Sequence, residues 1–497
     1  MKAQPSVVVV GAGMGGLSAA IDLSRQGAHV TVIDKASAPG GKMRQVDANG
    51  EPVDAGPTVF TMRWIFEGLF RDAGTSVADE VALAEAQLLA RHAWTTGGSL
   101  DLFADIDASV EAIAEFSNRR EADAYRKFCA DSADIFSTLK DSFIAAQRPS
   151  MMGLVSRVGL RKINALLRTR PTQTMWSALN GYFKDPRLVQ LFGRYATYCG
   201  SSPLSAPATL MLIAHVEQDG VWLLRDGMHS LARAMQRIGE RHSAQFRYGE
   251  AVSEITASDG RATGVILASG EHLEADAVVF NGDTHALASG LLGNAVQAAV
   301  PATPRAKRSL SAVTWCVQGK STGLELAHHN VFFAENYPSE FRRIFGAREL
   351  PAEPTVYICA QDRHDGQTTP TDSERLLILI NAPADGDETS FSSDHLSQLH
   401  EQMQSVTNRC GLNLITDLPT GTTTAPDGFN ELFPATGGAL YGRASHGANA
   451  SFERPGSRSR LPGLYLAGGS VHPGAGVPMT TMSGRLAAAS LMQDWQP

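Results

Sequence analysis

The sequence has few cysteines for its length and no long apolar run. The five cysteines are odd in number, widely spaced and without a C-x-x-C pair, which argues against a disulfide framework, a zinc site or any other bound metal, and a redox dithiol. No uninterrupted apolar stretch approaches the roughly 20 residues of a membrane span. Internal repeats and low-complexity stretches are missing as well. The cysteines are Cys129, Cys199, Cys316, Cys359 and Cys410.

An excess of positive charge is also missing. The 43 Lys and Arg residues against 51 Asp and Glu residues give a net charge of -8, which argues against general binding of nucleic acid. The first strand pattern begins so close to Met1 that no room is left for a signal peptide. We therefore expect a cytoplasmic protein, and 497 residues with 43% hydrophobic content predict an extensive core, in two domains.

The first informative feature of the sequence is a glycine-rich turn between a strand pattern and a helix pattern. An apolar run, Val7 to Val10, precedes glycines in G-x-G-x-x-G spacing, and a helical pattern then ends near Gly27. Such glycines allow the turn, let the backbone approach a pyrophosphate and let helix and strand pack closely. A chance turn is the alternative, but strand, turn and helix in this order favour a dinucleotide site. The candidate contacts here are Gly11, Gly13, Gly15 and Gly16.

An acidic residue follows the second predicted strand. That strand, His29 to Ile33, ends at Asp34, where a carboxylate accepts hydrogen bonds from both ribose hydroxyls. An acid there favours FAD or NAD over NADP. The adjoining residue, Lys35, is a further candidate contact of the dinucleotide.

Two further glycine segments favour FAD over NAD. In the first segment, Gly40 and Gly41 bring backbone N–H groups to the pyrophosphate and Lys42 brings a cation. In the second segment, the loop at Gly56 lets the main chain lie against the isoalloxazine. The C-terminal segment Leu464 to Gly484 is a third glycine-rich region. Val252 is a candidate for backbone contact with the adenine, and the equally good alternative is that it is an ordinary valine of a sheet. The candidates are Gly40, Gly41, Lys42, Gly56, Pro57, Thr58, Gly468, Gly469, Val477 and Pro478.

These motifs are far apart in the chain, which predicts an interleaved α/β architecture. We expect an FAD-binding Rossmann-like domain from residues 1–75, 221–290 and 455–497. Residues 76–220 and 291–454 would form an α+β substrate domain, with its first part mostly helical. Predicted elements beyond the glycine motif are the helix Leu231 to Ile238 and the strands Ala251 to Ile255, Gly264 to Leu267, Ala277 to Phe280, Ala312 to Val317, Thr355 to Ala360 and Leu376 to Asn381.

Acidic residues are missing from one segment, Ser142 to Lys184, although the chain is acidic as a whole. Apolar residues alternate with its cations at spacings that fit an amphipathic helix interrupted by glycine. A basic amphipathic helix binds anionic headgroups, so residues 148–170 are predicted to contact a membrane surface. The alternative is a helix whose apolar face packs on the core. The cations are Arg148, Arg157, Arg161, Lys162, Arg168, Arg170 and Lys184.

Several motifs together resemble the bacterial phytoene desaturase family of carotenoid oxidoreductases. They span the chain: GAGMGGLSAAIDLSRQG, PGGK, DAGPTVF, WLLRDGMHSLARAM, VVFNGD and LYLAGGSVHPGAGVP. Within that family, DAGPTVF followed by TMRWIF resembles the hydroxyneurosporene and methoxyneurosporene desaturases, or 1-hydroxycarotenoid 3,4-desaturases, of purple photosynthetic bacteria.

The resemblance implies an FAD-dependent desaturase acting on an acyclic hydroxylated carotenoid. In such a reaction a hydride passes from the substrate to flavin N5 and a proton leaves, which forms the C3,4 double bond. Entry of so apolar a substrate implies peripheral association with the inner membrane. We take Arg63, Trp64 and His472 as candidate contacts of the hydroxyl or methoxy end group, with surface, core and loop-orienting roles as the alternatives. No residue stands out as a general base, and the electron acceptor is left open.

Other readings of the motifs stay open at this point. Within the same family they are a phytoene desaturase or a carotenoid isomerase. An amine oxidase or a protoporphyrinogen oxidase shares the flavin fold, and a lipid escort protein would share it without flavin.

Overall fold

The computed structural model describes residues 4–159, 163–364, 370, 372–416, 418 and 420–495. The α-helices are α1 Met14–Ser24, α2 Arg63–Asp72, α3 Val77–Glu80, α4 Ile106–Phe116, α5 Arg119–Leu139, α6 Met151–Val158, α7 Ile163–Arg168, α8 Met175–Tyr182, α9 Pro186–Gly193, α10 Leu212–Gln218, α11 His229–Arg241, α12 Thr284–Ala288, α13 Tyr337–Phe341, α14 Ser393–Arg409, α15 Pro426–Leu432 and α16 Val477–Trp495. The strands are β1 Ser6–Val10, β2 His29–Asp34, β3 Gln45–Ala48, β4 Glu51–Asp54, β5 Leu83–Glu85, β6 Leu88–Trp94, β7 Ser99–Phe103, β8 Trp222–Leu224, β9 Gln245–Tyr248, β10 Val252–Ser258, β11 Arg261–Leu267, β12 His272–Glu274, β13 Ala277–Phe280, β14 Ser311–Gly323, β15 His329–Phe333, β16 Val356–Ala360, β17 Glu374–Ala382, β18 Leu412–Thr416, β19 Thr422–Thr424 and β20 Leu464–Leu466.

A five-stranded parallel sheet, in the order β20-β13-β1-β2-β9, forms the nucleotide-binding half of the molecule. Strands β1 and β13 are almost wholly apolar because helices cover the sheet and bury them on both faces. Helix α1 packs against α11 and α16 beside this sheet. The predicted FAD-binding Rossmann-like fold is confirmed.

The five strands come from the N-terminal, middle and C-terminal parts of the chain, as the interleaved architecture requires. Each predicted strand has a counterpart in the structure, and β13 has the predicted bounds, Ala277–Phe280. The predicted helix Leu231 to Ile238 lies within α11. This strand membership supports the two discontinuous domains, whose boundaries stay a prediction.

A second sheet contains eight strands, mostly antiparallel, in the order β18-β14-β17-β16-β15-β6-β7, with β19 pairing with β14. Helix α14 packs on it and encloses a separate hydrophobic cluster around Trp315 and Met403. Residues 76–220 are mostly helical, as predicted, but they also contribute β6 and β7. This hairpin turns at Gly97 and Gly98 and joins the sheet through the parallel pairing of β6 with β15.

Short pairings and loops connect the two halves. Strand β5 pairs with β8, and the β3–β4 hairpin packs against β14 and β17. Within the described part of the chain, none of the helices combines the length and the apolar character needed to cross a bilayer.

Candidate flavin site and adjoining interior cluster

The first glycine loop connects β1 to the amino end of α1. No side chain caps that end, where Gly13 is the N-cap residue, so the first backbone N–H groups of the helix remain available to an anion. A Cβ atom at Gly16 would lie 2.0 Å from the carbonyl oxygen of Gly11, so only glycine allows this close approach. The loop, from Gly11 through Gly15 to Gly16, therefore has the form that a pyrophosphate requires.

Asp34 lies at the carboxyl end of β2, beside the glycine loop. One of its carboxylate oxygens accepts a hydrogen bond from the Ala12 N–H group at 2.7 Å and the other accepts one from Ala36 at 2.8 Å. Burial raises the pKa of this carboxyl group, while the two backbone bonds lower it. The adjoining Lys35 is exposed, and its Nζ donates to the carbonyl of Glu431 at 3.0 Å.

The second glycine step packs directly against the first loop. The Gly40 N–H group donates to the Ala12 carbonyl at 2.9 Å, and Gly40 forms a parallel bridge with Gly13. After Gly41, the Lys42 ammonium group donates to the Leu440 carbonyl at 2.7 Å and to that of Ala439 at 3.2 Å. Burial lowers the pKa of Lys42 to about 8. Contact of Lys42 with a pyrophosphate stays a prediction, because these carbonyl groups already bind its amine.

The loop after β4 contains Gly56 and Pro57 and is held at both ends. At its start, the Asp54 carboxylate accepts hydrogen bonds from the backbone of Met228 at 2.5 Å and of His229 at 3.3 Å. At its end, the Thr58 hydroxyl lies 2.6 Å from the hydroxyl of Tyr357. The loop thus lies between the parallel sheet and the second sheet.

The C-terminal motif meets the N-terminal one. Gly468 donates to Ser483 Oγ at 3.2 Å, while the carbonyl of Gly469 accepts from Arg454 at 2.6 Å. Helix α16 then begins at Val477 and Pro478 and packs against α1. Val252, by contrast, lies on β10, where it pairs with Leu267 in a separate three-stranded sheet.

Two residues outside the predicted set help to build this site. Asn281 follows β13, donates to the Gly11 carbonyl at 3.2 Å and keeps a buried Oδ1 without a partner among the described residues. The sequence signal that could have identified Asn281 is its position directly after β13, because the carboxyl ends of neighbouring parallel strands lie at the same edge of a sheet. Buried Arg454 donates to the carbonyls of Tyr441, Arg443 and Gly469, and no local pattern marks it in the sequence.

The residues present fit FAD. An uncapped helix end suits the pyrophosphate, and the Asp34 carboxylate suits a ribose. The unpaired Asn281 Oδ1 offers an acceptor inside the same cradle. The residues that would hold the cofactor therefore come from the glycine loop, β2, the loop after β4 and the start of α16.

The three predicted end-group contacts have other partners and do not converge on one point. Arg63 forms an ion pair with Glu67 at 2.7 Å. The ring of Trp64 lies under Lys140 at 4.7 Å, and its buried indole nitrogen has no partner within the described residues. His472 donates from Nε2 to two carbonyls of residues 143 and 146, at 3.0 and 2.9 Å. Their role as end-group contacts stays a prediction.

A polar cluster lies in the interior between the helical region and the second sheet. We call the set Arg194, Tyr195, Tyr198, Glu217 and Tyr357 the interior cluster. Hydroxyl groups of Tyr195 and Tyr198 donate to Glu217 at 2.6 and 2.5 Å. Burial raises the pKa of Glu217, and it raises that of Tyr357 well above the ordinary value.

A potential metal-binding group adjoins this cluster. Ligand atoms of His328, His329 and Cys359 lie within 4.8 Å of one another. His328 donates from Nδ1 to the Arg363 carbonyl at 2.7 Å, so its Nε2 is the atom that accepts from the Cys359 thiol at 3.5 Å. Burial raises the pKa of that thiol and disfavours the thiolate that metals prefer. The absence of a metal stays a prediction.

Comparison with known proteins supports the cofactor assignment. Residues 14–492 match the family described as flavin containing amine oxidoreductase. The chain is 51% identical to the hydroxyneurosporene desaturase of Rubrivivax gelatinosus over 98% of this chain and 93% of that protein, and 44% identical to that of Cereibacter sphaeroides over 99% and 98%. A solved structure of putrescine oxidase bound to putrescine shares the fold, with a TM-score of 0.60 and 14% identity over 99% of both chains. The chain therefore belongs to the flavin containing amine oxidoreductases and, within them, to the family of the hydroxyneurosporene desaturases.

Proposed function

We propose that this protein is an FAD-dependent carotenoid desaturase that introduces a C3,4 double bond into acyclic 1-hydroxy- or 1-methoxycarotenoids. The observation that carries the proposal is the similarity to hydroxyneurosporene desaturases along nearly the whole chain. A complete set of FAD-binding elements supports it. The rival reading as a flavin-free lipid escort would leave the intact glycine loop and Asp34 without a role.

Bound FAD supplies the acceptor for the hydride that leaves the substrate. With FAD bound, the amino end of α1 would hold the phosphates, Asp34 would hold the ribose, and the loop at Gly56 to Thr58 would border the reaction site. Buried aromatic side chains of the interior would exclude water from the reacting carbons of a hydrocarbon substrate.

The basic segment supports docking at a membrane surface. Of the six large apolar side chains that are most exposed in the described residues, three lie there: Met152 at 83%, Leu167 at 69% and Met151 at 49%. Leu154, between them in the sequence, is buried and anchors α6. Arg161 and Lys162 lie outside the described residues. We infer that α6 and α7 present these side chains and nearby cations to anionic lipid, on the cytoplasmic face of the inner membrane.

The segment is also connected to the flavin site. His472, in the C-terminal motif, donates to the carbonyls of Phe143 and Ala146 just before α6. The Gln147 side chain donates to the Leu486 carbonyl in α16 at 2.8 Å. A docked segment would therefore bring the membrane close to the substrate's route into the protein.

Substrate competition tests the proposed reaction. The flavin-loaded protein is incubated anaerobically in liposomes with 1-hydroxyneurosporene, neurosporene or phytoene, and product is followed by the red shift that accompanies each added conjugated double bond. We expect conversion of 1-hydroxyneurosporene in preference to the other two. Turnover of phytoene alone would instead support a phytoene desaturase, and no turnover of any carotenoid would refute the proposal.

A further inference from the structure

Arg194 places a positive charge in the interior cluster, on a side chain that is only partly buried. It follows α9, and its guanidinium group lies between the rings of Tyr198 and Tyr357, 5.4 Å from each ring centroid. Burial alone would lower its pKa, but Tyr198 and Glu217 raise the pKa above its ordinary value. The side chain therefore stays a cation.

No carboxylate of the described residues forms an ion pair with this cation. Glu217 balances its charge at longer range, while the carboxylate oxygens accept from the hydroxyls of Tyr195 and Tyr198. A guanidinium group carries five N–H donors in a planar fork. The Tyr198 hydroxyl accepts one hydrogen bond from this partly buried cation, and the remaining donors suit a ligand that brings its own oxygen atom.

Tyr357 connects this cation to the flavin site. Its hydroxyl lies 2.6 Å from Thr58 Oγ1, on the glycine loop after β4, and 2.8 Å from Nδ1 of His329. The second ring nitrogen of His329 is buried without a partner among the described residues. Polar side chains thus connect Thr58 to the Arg194 cation.

The proposed substrate has one polar group, and it lies beside the reacting carbons. The oxygen is on C1, whereas the hydrogens leave C3 and C4. A protein group that binds this oxygen must therefore lie close to the predicted flavin loop, which Tyr357 contacts through Thr58 and which Arg194 adjoins through the Tyr357 ring. Arg63 is in contrast engaged at the surface with Glu67.

We propose that Arg194 is the specificity-determining residue of this enzyme, donating a hydrogen bond to the oxygen on C1 of the carotenoid end group, with the Tyr357 hydroxyl as its second partner. The inference rests on the proposed function. Both a hydroxyl and a methoxy oxygen accept from a guanidinium group, so both end groups bind. A plain hydrocarbon offers no oxygen to the remaining donors of Arg194, and sites built to hydrogen-bond a substrate oxygen reject such analogues strongly.

The test compares Arg194→Met and Arg194→Lys with the wild-type holoenzyme. For each flavin-loaded protein we measure the second-order rate constant of anaerobic flavin reduction by 1-hydroxyneurosporene and by neurosporene, with the bound FAD as the oxidant, and we measure binding of both carotenoids by quenching of tryptophan fluorescence. Arg194→Met should lower the preference for the hydroxylated substrate at least about tenfold, in flavin reduction and in binding, and Arg194→Lys should restore part of it. Tyr357→Phe should lower the preference less.

A matched control is Arg91→Met. Arg91 lies on β6 of the same sheet and is paired with Asp101 at 2.7 Å, away from Thr58. This variant should keep the wild-type preference. Measuring a ratio of two substrates on flavin-loaded protein separates specificity from a general loss of folding.

The outcomes distinguish this inference from the proposed function. If the wild-type protein converts 1-hydroxyneurosporene preferentially and both Arg194 variants keep that preference, the inference is wrong while the proposed function stands. An equal fall for both substrates would also overturn it, since Arg194 would then support the fold or the cofactor. If the wild-type protein converts no carotenoid, the proposed function fails first.

Discussion

Asp34 is the single residue at a strand end that we propose as a contact of the cofactor's ribose. Its carboxylate is held by backbone N–H groups of Ala12 and Ala36, so it is oriented before any ligand binds. The position was readable from the sequence because strand, loop and acid are close together in the chain. Arg194 and Tyr357 are separated by 163 positions and share no local pattern, so only the fold brings them together.

The Asp34→Asn variant should bind FAD more weakly. The amide removes a charged acceptor for the ribose hydroxyls, and a hydrogen bond to a charged group contributes about 1.5–3 kcal/mol, or roughly 10- to 150-fold in affinity. The dissociation constant is measured by flavin fluorescence on the apoprotein. Asp276→Asn is the control, because Asp276 also accepts a backbone bond, from Ser6, but lies before β13 at the opposite edge of the same sheet. Equal affinity of Asp34→Asn and wild type would contradict the assignment.

His472 predicts a particular dependence of stability on pH. Burial lowers its pKa to about 4 in the folded protein, against about 6.5 when unfolded. The unfolded chain therefore binds the additional proton between these values, so the free energy of unfolding falls as the pH drops below about 6.5. At pH 5 this one group should lower the free energy of unfolding by roughly 2 kcal/mol.

The variant His472→Gln removes this titration while keeping an amide donor for the carbonyls of Phe143 and Ala146. Chemical unfolding at pH 7.5 and pH 5 should show a smaller loss of stability for the variant than for the wild type. His272→Gln makes the same change at an exposed histidine and serves as the control. A loss as large in His472→Gln as in the wild type would show that the imidazole is not the group responsible.

At the scale of secondary structure, helices α6 and α7 have two kinds of contact. Leu154 faces the core, while Met152 and Leu167 face outwards. Arg157 donates to the carbonyls of Ser142 at 3.2 Å and Gln147 at 2.7 Å, so reversing its charge would disturb the chain as well as any contact with lipid. The exposed apolar side chains are the cleaner probe.

Replacing both Met152 and Leu167 with Asp should weaken binding to vesicles that contain anionic lipid. Full burial of one such side chain contributes roughly 1.5–3 kcal/mol, so the partition coefficient should fall at least about tenfold. Cosedimentation measures it. Ile415→Asp is the control, since Ile415 is 62% exposed on the second sheet. Unchanged sedimentation of the double variant would place the docking surface elsewhere.

Predictions at this scale succeeded where the pattern is local. The buried run Ala277–Phe280 stands between polar residues and forms β13 with the predicted bounds. Strand β14 continues to Gly323, beyond the predicted end at Val317, because β18 pairs with its exposed second half. This extension depends on pairing with a strand about 90 residues away in the sequence, and the local hydrophobic periodicity carries no information about that pairing.

For the whole molecule, the two ends of the chain pack together at the predicted cofactor site. A Cβ atom at Gly484, on α16, would lie 2.1 Å from the Gly15 carbonyl, and Ser18 donates to the Thr481 carbonyl at 2.8 Å. The loop after β4 then connects this site to the second sheet through Tyr357 and through the reciprocal bonds between Asp54 and Gln361. Both halves of the molecule therefore contribute residues to the proposed FAD site.

Removal of FAD should accordingly destabilise the protein as one unit. A ligand at 100 times its dissociation constant stabilises the folded state by about 2.7 kcal/mol. With an unfolding entropy of about 2.1 cal/mol/K per residue, a chain of 497 residues should gain about 3 °C in Tm. Calorimetry of the apoprotein at increasing FAD concentration measures this shift, and Asp34→Asn should need more FAD to reach it.

Because loops join the parallel sheet to the second sheet around the cofactor, we expect a single transition that moves as a whole. Two transitions, of which only one responds to FAD, would show that the halves unfold independently and that the contacts at Thr58 and Asp54 do not couple them.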